Sequence, residues 1–76
     1  MSKERKTRKE LEEIVFAEVR KFRACEGTTA VTVRGIDDKR VDYNWEVSHA
    51  TNATPECVGE IEAIVDEFQK RYEMVD

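Results

Sequence analysis

The strict alternation of Val41, Tyr43, Trp45 and Val47 with Asp42, Asn44, Glu46 and Ser48 constrains this chain most. A period of two puts the four apolar side chains on one face of a strand and the polar ones on the other. Such a strand has to lay its apolar face on something. The stretch before it, Thr28-Thr29-Ala30-Val31-Thr32-Val33-Arg34, is rich in β-branched residues, with Val31 and Val33 in phase. Asp37-Asp38-Lys39 between them reads as a polar turn. Together they predict an antiparallel hairpin turning near Asp38, with Val33 opposite Tyr43 and Val31 opposite Trp45.

Helical periodicity flanks the hairpin on both sides. Thr7-Arg8-Lys9-Glu10 has the spacing of a capping box, in which threonine and glutamate side chains each satisfy the other's backbone N–H. Leu11, Ile14, Val15, Val19, Phe22 and Cys25 follow at intervals of three and four, an arc of about 140° on a helical wheel. A helix over residues 8–25 is expected, closed by Gly27 in the left-handed position. At the other end, Thr54-Pro55-Glu56 offers an N-cap, a proline in the first turn and an acid at the positive end of the helix dipole. Val58, Ile61, Ile64, Val65, Phe68 and Tyr72 then form one stripe about 120° wide. The expected fold is α+β, in the order α-β-β-α: a two-stranded antiparallel hairpin with two roughly antiparallel helices packed on one face.

At 76 residues the chain has room for one small domain. The reading assigns residues 1–7 to a flexible basic tail and 8–76 to the domain. Its longest apolar runs, Ile14–Ala17 and Ala63–Val65, exclude a membrane span. No signal-peptide pattern opens the sequence, so the expected location is cytoplasmic, with Cys25 and Cys57 as free thiols. Residues 1–9 carry five cations against Glu4, while residues 10–76 carry eight basic and sixteen acidic residues. A body of net charge −8 repels phosphate and opposes broad nucleic-acid binding, even with a start of +4.

Three groups of residues stand out as candidate sites. Phe16 lies opposite the centre of the first helical stripe among Lys9, Arg20 and Arg23, so an aromatic amid cations is offered as a binding surface. The topology carries Cys25, His49 and Cys57 to one end of the domain, where a thiol could gain a lowered pKa or an imidazole base. Against that, both cysteines border apolar stripes, where cysteine packs as a small hydrophobe. Three ligands do not close a structural zinc site, and no metal, cofactor or catalytic set is assigned. Glu18 falls within the first stripe or at its border. The hairpin's polar face and its two free strand edges are the remaining surfaces, and edges recruit partners.

The run Asp42-Tyr43-Asn44-Trp45-Glu46-Val47-Ser48, followed by Thr54-Pro55-Glu56-Cys57, resembles short bacterial proteins that pair an Asn-Trp-x-Val-Ser strand with an amphipathic C-terminal helix. That resemblance spans Leu11 to Tyr72 and implies no activity. The element order is also similar to that of double-stranded RNA-binding domains. Those carry a third strand and a lysine-rich start to the last helix, where this chain has Glu56, Glu60 and Glu62. The sequence therefore points to a small non-catalytic module that binds a protein partner, as a monomer rather than a homodimer. Nucleic-acid binding through the basic start and the first-helix cations is the alternative, and thiol or redox chemistry at Cys57 a further one.

Overall fold

The structure is a computed structural model and describes residues 3–75. Its elements are β1 (Glu4–Lys6), α1 (Arg8–Val19), a short 3-10 turn (Arg23–Cys25), β2 (Ala30–Gly35), β3 (Trp45–Thr51), α2 (Pro55–Arg71) and β4 (Tyr72–Met74). The α+β class and the central α-β-β-α run match the sequence reading. The outermost strands do not: the full order is β-α-β-β-α-β.

α1 starts as its capping box dictates. The Glu10 amide donates to Thr7 Oγ1 at 3.2 Å, and the Thr7 amide donates to Glu10 Oε1 at 3.0 Å. Leu11, Val15 and Val19, one turn apart, are fully buried. The helix ends at Val19 rather than at residue 25. Lys21 and Phe22 bond back three residues, to Glu18 and Val19, and Phe22 then turns extended (φ −98, ψ 131). An uninterrupted helix would have carried Cys25 along the stripe. The break at Phe22 instead delivers Cys25 to Cys57 in α2 and leaves Phe22 37% exposed. Among the described residues no glycine has a positive φ, so Gly27 is not the left-handed cap; Asn52 (φ 62) takes that conformation, between β3 and α2.

β2 and β3 form the expected antiparallel hairpin in a different register. Gly35 pairs with Trp45, and Val33 with Val47. The turn is thus a long loop over residues 36–44, and Val41 and Tyr43 lie in it, half-buried. Bonds within the loop enforce this. Arg40 grips the Asp38 carboxylate through its amide and guanidinium, and the Ile36 amide donates to Asn44 O at 2.9 Å. The slip is four residues, an even number, so each side chain keeps its face. Trp45 is fully buried and Val33 is 1% exposed. A bulge follows, with Thr32 opposite His49 and Ser48 as the extra residue. Ser48 and His49 are both exposed as a result, and Ala50 returns to the core side opposite Val31.

α2 begins as read, with the Cys57 amide donating to Thr54 Oγ1 at 3.1 Å. Cys57, Ile61, Val65 and Phe68 are buried, but Val58 is 43% exposed although it belongs to the stripe. The helix stops where Tyr72 turns extended and opens β4. β4 pairs in parallel with β1, with Glu4 beside Tyr72 and Lys6 beside Met74. Of the residues read as a tail, Glu4–Lys6 therefore form a strand. Three-residue strands carry no periodic signature, and β1 exists only because β4 lies beside it.

The core joins both helices and the hairpin: Leu11, Val15, Val19, Val31, Val33, Trp45, Ile61, Val65 and Phe68 form one buried cluster with the two cysteines. Trp45 ties this core to β4 by donating from Nε1 to Tyr72 O at 3.0 Å.

Candidate functional site

Among the described residues the hairpin ribbon has two strands, so each has one outer edge. α1 packs against β2 and α2 against β3, and each helix sends one side chain to the outer backbone of its strand. On the β2 side, the Val33 amide donates to Glu12 Oε2 at 2.9 Å. On the β3 side, Gln69 Nε2 donates to Trp45 O at 2.7 Å, from a side chain only 8% exposed. Backbone groups alternate along a strand. Asn44 O turns to β2, where it accepts from Ile36, and Trp45 O turns away from it. Val47, two residues on, shares the edge of Trp45.

Beyond Gln69 a groove opens between β3 and α2. Val47, Ala50 and Ala53 line it from the strand side, and Val58, Ile61 and Val65 from the helix. Its rim is acidic. Glu46, Glu62 and Asp66 line it, and no lysine or arginine does. Glu46 pairs with Arg34 across the ribbon, with Oε2 at 2.6 Å from Arg34 Nε. Asp66 meets Lys70 at 3.6 Å on the exposed helix face. Among the described residues Glu62 has no ion pair.

A second, shallower groove follows the β2 edge and contains part of the surface expected on the first helix. Lys9, Glu12, Glu13 and Phe16 face Thr29, Ala30 and Val31 there. Phe16 is half-buried and packs against the core rather than standing free, with the Arg20 guanidinium 5.7 Å from its ring centre. Arg23 is not with them. It sits on the 3-10 turn, beside Ala24, Thr54, Pro55 and Glu56. The structure thus unites Lys9, Phe16 and Arg20 and separates Arg23, because the helix breaks before it. Glu18 is partly exposed and pairs with Lys21 at 2.9 Å.

The expected free thiols are corrected. Cys25 and Cys57 are joined by a disulfide inside the core. Thr28 Oγ1 lies 3.3 Å from Cys57 Sγ, and since a disulfide sulfur has no proton, the hydroxyl is the donor. His49 is exposed on β3 and takes no part in these contacts. The Cys25–His49–Cys57 cluster does not assemble. Among the described residues no three His, Cys, Asp or Glu side chains gather as a metal set.

The basic start is largely engaged within the fold. Lys3 Nζ donates to Asp42 O, Arg5 pairs with Glu73 at 3.3 Å, and Lys6 with Glu4 at 3.1 Å. The Glu4 hydrogen bond and charge raise the Lys6 pKa, and the Arg40 hydrogen bonds lower that of Asp38. Asn44, expected on the wet face, is instead held between the hairpin loop and β4. Its Nδ2 donates to Met74 O at 2.8 Å and its Oδ1 accepts from the Met74 amide at 2.9 Å.

The strand edges are legible in the sequence as contact surfaces; the β3 groove is not. The signal available was Val58, an apolar residue at the margin of its stripe. Glu12 and Gln69 gave none, because their partners are backbone groups brought close only by the fold. No known protein family, curated protein or solved structure matches the chain.

Proposed function

We propose that the chain is a small non-catalytic module that binds a protein partner. The observation that carries this reading is the apolar groove between β3 and α2, with Val58 left 43% exposed on its wall beside Val47 and Ile61. The neighbouring stripe positions are buried, so the exposed valine lies at the margin of the core, where a partner can cover it. The alternative of phosphate binding is weakened by the contacts of Lys3, Arg5 and Lys6 with groups of the same chain. Thiol chemistry at Cys57 is weakened by its buried bond to Cys25.

No helix among the described residues is long and apolar enough to cross a membrane. The disulfide favours an oxidising compartment over the cytoplasm expected from sequence.

The test is affinity capture with the intact chain and with Val58→Asp. The exposed position tolerates aspartate, so the near-ultraviolet signal of Trp45 should be unchanged while capture of the protein partner is lost. Equal capture by both forms would overturn the reading.

A further inference from the structure

We propose that the β3–α2 groove takes an extended basic peptide, which adds as a strand to the outer edge of β3. The inference rests on the protein-binding reading and specifies the partner's conformation and charge.

Three observations converge on it. First, the edge is available for backbone pairing. Among the described residues β3 has a strand neighbour on one side only, and alternation turns the Val47 amide and carbonyl to the other. Gln69 occupies the Trp45 carbonyl and so bounds the open stretch at one end. Second, the space beside that edge is apolar on the side the helices cover. Alternate side chains of an added strand would meet Val58, Ile61 and Val65. Third, the rim carries Glu46, Glu62 and Asp66 and, besides His49 at its far end, no basic side chain; Glu46 and Asp66 are paired to Arg34 and Lys70 outside the groove, and Glu62 is unpaired among the described residues. The complementary guest alternates apolar residues with lysine or arginine.

The same charges argue against a second copy as the occupant. Pairing β3 with β3 about a twofold axis would bring two sets of these carboxylates to one seam, where like charges repel. The chain's own basic strand is already committed, since Glu4–Lys6 pair with Tyr72–Met74.

The probe is a synthetic peptide of about nine alternating lysine and valine residues, a long strand's length. Its glutamate–valine counterpart is the control. Amide NMR titration should give saturable shifts over residues 47–50 and 58–66, and hydrogen exchange at the Val47 amide should slow by about tenfold as it gains a bond. Raising salt from about 50 to about 300 mM, or introducing Glu62→Lys with Asp66→Lys, should weaken binding by about tenfold or more. Both substituted positions are exposed on α2, and the Trp45 signal verifies the fold. Equal binding of the two peptides overturns the charge assignment. Shifts confined to Lys9, Phe16 and Arg20 overturn the site. A concentration-dependent dimer with the Val47 amide protected makes the occupant a second copy and overturns the peptide. If the lysine–valine peptide fails while Val58→Asp still abolishes partner capture, this inference falls and the protein-binding reading stands. If Val58→Asp leaves capture unchanged, the reading itself has failed.

Discussion

The Asn44 carboxamide and the Met74 backbone bond in both directions, with Nδ2 donating to the Met74 carbonyl at 2.8 Å and Oδ1 accepting from the Met74 amide at 2.9 Å. The asparagine side chain acts here as a length of strand, giving β4 a second neighbour besides β1. Asn44→Asp keeps the acceptor and loses the donor, whereas Asn44→Ala loses both. Urea unfolding should show both variants destabilised, by about 1–3 kcal/mol. Hydrogen exchange at the Met74 amide separates them, since only the alanine variant should lose that protection.

Gln69 should be far less tolerant of change than its place on an acidic helix suggests. Its side chain is buried and satisfies the Trp45 carbonyl. Gln69→Leu strands that carbonyl beside apolar groups and should cost about 1–3 kcal/mol in urea unfolding. Gln69→Glu presents a carboxylate to a carbonyl at neutral pH. The native state then favours the protonated acid, which can donate, so this variant should gain stability as pH falls, the reverse of ordinary acid denaturation.

The Cys25–Cys57 bond closes a loop with a sequence separation of 32. Constraining the unfolded chain over that length is worth about 3–4 kcal/mol. Reduction, or Cys25→Ala with Cys57→Ala, should lower the urea midpoint accordingly without changing the register of β2 and β3. An unchanged midpoint under reductant would show that the bond contributes nothing to folding.

Acid should loosen the start of α1. Hydrogen bonds from the Thr7 amide and, secondarily, the Thr7 hydroxyl hold the Glu10 carboxyl below its ordinary pKa. A group whose folded pKa is lowered contributes stability above its unfolded pKa and loses that contribution as pH falls through the folded value. Exchange at the Thr7 amide should therefore rise relative to the rest of α1 on acidification. Glu10→Gln should remove that pH dependence, because glutamine accepts the same bond at every pH.

What could be read in advance follows from which features repeat. Leu11, Val15 and Val19 recur with a helical period, Trp45 and Val47 with a strand period, and Thr54-Pro55 marks a helix start by its own chemistry. The two helix starts came out as read, whereas the alternation over Val41–Ser48 coincides with β3 only from Trp45 onward. The failures lie where the cause is distant in sequence. Nothing near Phe22 ends a helix; the break serves Cys25, whose Cα lies 4.8 Å from that of Cys57. In the observed register Asn44 reaches Met74, thirty residues on, a partner no local pattern announces. The candidate site divided in the same way. Val58 was visible as part of a stripe but its exposure was not; Phe16 lies near Lys9 and Arg20 but half-buried against the core, and Arg23 was carried along by a helix that stops short of it.

The parallel pairing of Glu4–Lys6 with Tyr72–Met74 has a consequence for how the chain is made. On a ribosome, the first strand emerges long before its mate is translated, and it has no partner until both helices and the hairpin are out. Helix and hairpin contacts can form meanwhile, since they span less sequence. The final closure is a clasp, fastened only after synthesis has passed Met74.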